Sequence, residues 1–275
     1  PVEGQRARVT ADQIAFSEWA ATRTAAAVFR VLLGARPGMT ERQIVANMGY
    51  AGEQMSTHAI LASSSRGEMM NGLRSATGRV VREGDGISFG IGYWGALCCR
   101  AGMMLATPDD AYVAQVVSPY FQAQAAWYHT AGIGVAGGAV FDAVHAALES
   151  AGATFRPALN PGHLTSFDEW TNTPIRAGSA DALASGMIFQ VDIIPSPLPA
   201  GVTLNCEDTV AVADAELRAG LAAKHPEVWA RIEARRGFMA DALGIELAPD
   251  LLPLSLANAY LPPFWQAPTL VCTLA

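Results

Sequence analysis

Segregated blocks of helical and extended periodicity predict an α+β fold for this chain. Two observations carry that reading. The β-like stretches fall into two groups with helices on either side, and no GxGxxG, phosphate-loop motif or short repeat interrupts the order. With 275 residues, 51% of them hydrophobic and 16% charged, the chain buries one sizeable core or two smaller ones and is too apolar for disorder.

The elements follow in order. Ile14, Ala21, Ala25, Val28 and Leu32 recur near a 3.6 period and predict a long helix over Ala11–Leu33, ended by Gly34-Ala35-Arg36-Pro37-Gly38. Thr40-Glu41-Arg42-Gln43 reads as a capping box, so a second helix follows. Ile87–Tyr93 and Leu97–Leu105 read as strands joined at Trp94-Gly95. Thr107-Pro108-Asp109-Asp110 opens a third helix running to Thr130, with Thr107 as its cap. A fourth covers Gly137–Gly152. Met187–Ile194 and Leu204–Val212 are the second group of strands, and Ala215–Leu243 is helical up to Gly244. The tail Leu247–Ala275, rich in proline, is expected to be extended and packed on the domain or on a partner. These boundaries give a domain over 10–245 and a tail over 246–275.

Charge and composition exclude several classes. A net charge of −7 with no Lys/Arg cluster argues against nucleic acid and against a polybasic membrane anchor. The apolar stretches are too short or too broken by Gly and Arg to span a bilayer. No signal peptide opens the chain and the four cysteines form no CxxC pair, which sets a cytoplasmic, reducing expectation.

Several motifs then occur in a characteristic order: Pro37-Gly38-Met39-Thr40-Glu41, Glu83-Gly84-Asp85, Asn160-Pro161-Gly162-His163, Ser185 to Asp192 (SGMIFQVD), and Cys206-Glu207-Asp208-Thr209-Val210-Ala211-Val212. In order and spacing this set resembles the pita-bread superfamily of creatinase, prolidase, aminopeptidase P and methionine aminopeptidase, the M24 peptidases. The resemblance implies a curved antiparallel sheet covered by helices. It also implies a two-ion centre held by two Asp, one His and two Glu. His163 and Glu207 match that ligand set, and Asp192 stands for a Glu. Where the two Asp are expected, the chain has Gly90 and Leu97-Cys98-Cys99. Thr171-Asn172-Thr173-Pro174 replaces an outer-shell "H-E-x-P", and Leu73-Arg74-Ser75 replaces an upstream "H-N-P". With both Asp missing, the expectation is the metal-independent, creatinase-like branch with no cofactor, although His163, Asp192 and Glu207 together are compatible with a single ion.

The expected activity is hydrolysis of a C–N bond in a small polar, cationic metabolite such as a guanidine, amidine or amine. An Xaa-Pro-type metallopeptidase with a reduced metal site and a non-catalytic binding protein are the alternatives. His163, Asp192 and Glu207 are the candidate catalytic residues. A loop imidazole moves protons near neutral pH, and two facing carboxylates favour a cation between them. The competing reading makes them a structural loop histidine and solvent-facing strand acids. Tyr93, Trp94, Cys98, Cys99, Arg100 and Arg176 are candidates for substrate binding. Tyr93 and Trp94 are equally readable as a core pair, and the arginines as solvated cations. Adjacent strand residues point oppositely, so at most one of Cys98 and Cys99 faces a pocket. It serves there as a buried hydrophobe or as a thiol nucleophile. His58, His129, His145 and His225 read as structural. The tail's Tyr260, Phe264 and Trp265 set an expectation of a homodimer.

Overall fold

In the computed structural model, which describes residues 4, 6–166 and 172–274, the elements run α1 (Ala11–Gly34), α2 (Glu41–Ala46), β1 (Met55–Ser64), β2 (Gly86–Tyr93), β3 (Cys98–Met103), α3 (Asp110–Tyr112), a π-turn (Val113–Val117), α4 (Ser118–Thr130) and α5 (Gly137–Ser150). They continue with β4 (Arg156–Pro157), β5 (His163–Leu164), β6 (Ile188–Val191), β7 (Pro195–Ser196), β8 (Asn205–Val212), α6 (Ala215–Lys224), α7 (Pro226–Leu243) and β9 (Leu251–Pro253). The antiparallel sheet has the order β1-β2-β3-β8-β6-β5, with β9 also on β8, and β4 and β7 form a small separate pair. This is the α+β pita-bread architecture.

Local chemistry sets the helix ends. At α2 the Thr40 hydroxyl accepts from the Gln43 amide at 3.3 Å, and the Gln43 side chain accepts from the Thr40 amide at 2.8 Å. Thr10 and Gln13 form the same box on α1. Thr107, expected as the third cap, is displaced by Asp109, whose carboxylate accepts from the Tyr112 amide at 3.0 Å. The expected single helix from Ala215 to Leu243 is two helices. Pro226 has no N–H to give, and the chain breaks at His225 (φ −133°). Strand β1 has no counterpart in the sequence reading. Its MSTHAILASS carries little alternation, and its place in the sheet comes from pairing with β2.

Alternation along the strands divides the sheet into two faces. Ile87, Phe89, Ile91, Tyr93 and Cys98 pack with Val28, Val31 and Leu32 of α1 in one apolar cluster. A larger cluster joins α4 and α5 to β6 and β8, with Trp127 edge-on to Phe189. The tail is part of the interior: Leu251 and Phe264 join this cluster, Trp265 joins the one beneath α1, and Leu252 is buried in a third. Two of the three aromatic residues expected to anchor a dimer, Phe264 and Trp265, are therefore used inside one chain. Among the described residues, no helix is long and apolar enough to cross a membrane.

Candidate active site

The site is built from one row of residues across the sheet. Ile60 pairs with Gly90, Gly90 with Cys99, and Cys99 with Glu207. Val191 pairs with Asp208, so Asp192, one residue on, stands beside Glu207. All five members of the row line a cavity of about 430 Å³. That volume lies within the range of small-ligand sites, about 300–1,000 Å³.

His163 enters from β5 at the edge of this row. The turn before it is made by Gly162, whose φ is +122°. A Cβ there would come within 2.7 Å of the Gln190 carbonyl, so glycine is needed for β5 to pair with β6. Trp127 donates its indole N–H to the Pro161 carbonyl at 2.7 Å, and the Thr173 hydroxyl donates to the Gly162 carbonyl at 2.8 Å. Thr171, the first residue of the expected outer-shell motif, lies outside the described residues. His163 Nδ1 is 3.0 Å from the Leu164 carbonyl. A carbonyl oxygen only accepts, so Nδ1 is the donor in that contact. Nε2 is 3.8 Å from Glu207 Oε1.

One ligating atom each from His163, Asp192 and Glu207 lies within 4.8 Å of the others. Asp192 and Glu207 are only 5% and 3% exposed. Burial raises the pKa of Asp192, while the charge of His163 and a hydrogen bond from Asn205 act in the opposite direction. Asp192 Oδ1 is buried and has no hydrogen-bond partner among the described residues. The group therefore brings together an imidazole, two buried carboxylates and an acceptor, Asp192 Oδ1, with no partner among the described residues, which are side chains able to move protons.

The remaining expected residues divide by face. Cys99 lines the cavity and Cys98 does not. Burial, then the nearby Glu207, pushes the Cys99 thiol up, which disfavours its thiolate. Cys98 lies on the opposite face with Arg100, where the guanidinium donates to both oxygens of Asp208 at 2.8 and 3.0 Å. Arg100 is 0% exposed and also donates to the Tyr260 carbonyl, so it holds the tail and does not reach the cavity. Tyr93 is a core residue beneath α1, and Trp94 packs edge-on against Phe16. Arg176 pairs with Asp181 at 2.9 Å on the surface. None of these four lines the cavity.

The sequence model of metallopeptidase family M24 matches residues 19–214. The chain belongs to metallopeptidase family M24. No curated protein matches the sequence. Among solved structures it is similar to an Xaa-Pro dipeptidase from Bacillus anthracis (20% identity, TM-score 0.66, covering 78% of this chain and 61% of that one). It is also similar to an X-Pro aminopeptidase from Thermotoga maritima (23%, 0.64, 76% and 60%) and to a dipeptidase from Mycobacterium ulcerans (25%, 0.57, 72% and 56%). The chain spans about 60% of the length of these structures.

Measured against the M24 two-ion centre, the donor set among the described residues is incomplete. On β2 and β3, the cavity-facing positions next to Glu207 are Gly90 and Cys99, which offer no carboxylate. Among the described residues these positions supply no donors for a second ion, whereas the His163–Asp192–Glu207 group is geometrically able to hold one ion. Sequence reasoning missed Asn205, which lines the cavity, although its position two residues before Glu207 puts it on the same strand face. It also missed the mouth residues Met69, Met70 and Leu73, whose signal was an apolar cluster in a segment with no periodicity.

Proposed function

We propose that this M24 chain is a hydrolase that cleaves a C–N bond of a small cationic substrate without the family's two-ion centre. The observation that carries the reading is the row Gly90–Cys99–Glu207–Asp192, in which the β2 and β3 carboxylates are replaced while the imidazole and the other two acids remain. Asp192 and Glu207 hold the cationic end of the substrate, which relieves their mutual repulsion. Nε2 of His163 takes a proton from water as the water oxygen bonds to the substrate carbon. The same proton then passes to the nitrogen, which leaves with the electron pair of the C–N bond.

The test is turnover on a panel of guanidines, amidines and amides with a chelator present, alongside elemental analysis of the purified protein. The expected result is chelator-resistant hydrolysis, less than one equivalent of divalent metal, and a loss of about 10²–10⁴-fold in rate for His163→Ala. Unchanged turnover in His163→Ala overturns the assignment of the base. A second reading is favoured by one observation, the three ligand atoms within 4.8 Å. It is a peptidase with a single ion held by His163, Asp192 and Glu207, where the ion would polarise the scissile carbonyl. Stoichiometric metal, lost to chelator together with activity, selects it.

A further inference from the structure

The cavity over Asp192 and Glu207 joins two chemistries that together specify a ligand class. Its floor is acidic, and Asp192 Oδ1 lacks a hydrogen-bond partner among the described residues. Its walls and mouth are apolar: Met69, Met70, Leu73, Leu159 and Leu198 surround the opening. Met69 is 79% exposed, and Leu73 and Leu159 are each 64% exposed, so these side chains face water although they flank a cavity. Exposed apolar side chains grouped around a cavity offer a surface that a ligand can cover.

Among the described lining residues there is no Arg or Lys, and the sequence of 167–171 contains none. The candidate guanidinium groups are engaged elsewhere. Arg74, next to Leu73, is paired with Glu41 through two contacts of 2.6 Å. Arg100 is paired with Asp208, and Arg176 with Asp181. A substrate carboxylate would thus meet two buried acids and no arginine or lysine, at a cost in repulsion and desolvation.

We infer that the site takes an amine, amidine or guanidine that carries an apolar substituent and no carboxylate. The nitrogen cation lies on Asp192 and Glu207, and the substituent lies along Met69, Met70, Leu73, Leu159 and Leu198. The inference rests on the cavity assigned to the proposed hydrolase and names its substrate class. Its test is equilibrium binding, so it is decided separately from turnover.

Isothermal titration of the purified protein with 4-phenylbutylamine, methylamine, 4-phenylbutyrate and guanidinoacetate decides it. 4-Phenylbutylamine is expected to bind about 10- to 100-fold more tightly than 4-phenylbutyrate, through charge-assisted hydrogen bonds that the acid cannot make. It should also bind about tenfold more tightly than methylamine, through the apolar area it buries. The double substitution Met69→Ser/Leu73→Ser should weaken 4-phenylbutylamine about tenfold, leave methylamine unchanged and leave the melting temperature in place, because both side chains are exposed. Equal or tighter binding of 4-phenylbutyrate or guanidinoacetate overturns the inference, as does no binding of 4-phenylbutylamine at millimolar concentration. Indifference of 4-phenylbutylamine to the double substitution also overturns it. Amine binding by a protein that hydrolyses nothing in the panel supports the ligand class and removes the hydrolase reading alone.

Discussion

At the scale of single residues, the group with the largest conflict is Asp192, a carboxylate 5% exposed beside a second acid. Burial raises its pKa, so the folded protein keeps its proton over a pH range in which the unfolded chain has lost it. Below about pH 4 both states are protonated and the group's contribution to stability is fully present. As pH rises through the raised folded-state value, a charge must be buried and that stability is lost. Asp192→Asn should therefore melt higher than the parent on the alkaline side, with the gain vanishing towards pH 4. A gain independent of pH between 4 and 8, read by melting curves, contradicts this account. Glu41 has the opposite sign. Burial pushes its carboxyl up, but hydrogen bonds from Arg74, Ser63 and Thr77 outweigh that and hold it at about 2. It thus favours the fold above the ordinary glutamate range, and that contribution is lost as pH falls towards 2.

At the scale of elements, the register of β2, β3 and β8 decides what the site lacks. Gly90 has ordinary neighbours, the nearest being the Cys99 Cβ at 3.5 Å from where its own Cβ would stand. The backbone therefore accepts a side chain at this position, and the missing carboxylates reflect sequence and not space. Gly90→Asp combined with Cys99→Asp is expected to create a site that binds Mn²⁺ with higher stoichiometry than the parent, measured by titration and elemental analysis. Identical metal content in parent and double variant shows that the β2 and β3 row does not face the cluster as described. The alternation of Cys98 and Cys99, and of Glu207 and Asp208, was readable in advance because strand residues point alternately to opposite faces. Strand β1 was not readable, since a Ser-, Thr- and Ala-rich segment becomes a strand through its partner.

At the scale of the whole molecule, the Arg100–Asp208 pair joins β3, β8 and the tail. Its guanidinium also donates to the Tyr260 and Ala257 carbonyls. Removing one partner of a fully buried pair leaves the other charge uncompensated, typically at about 3–5 kcal/mol. Arg100→Met should lower the denaturant midpoint accordingly. A midpoint shift as small as that of a surface substitution rejects the role assigned to the pair. Phe264 and Trp265, 3% and 1% exposed, complete the core of a single chain, so any dimer must draw on other surfaces.

By itself the sequence determined the family architecture and the helix cap at Thr40, and it singled out His163, Asp192 and Glu207, whose ligating atoms lie together. Each of these is written in local chemistry: a capping pattern, strand alternation, or a short motif around a turn. Only the tertiary structure decided what the arginines do and what surrounds the acids. Arg100 meets Asp208 at a separation of 108 positions, and Arg74 meets Glu41 at 33. The cavity mouth brings Met69 and Leu73 beside Leu159 and Leu198, four residues from three distant segments. A side chain's partner at such separations is set by how the strands pair and the loops close over them, and no local pattern carries that information.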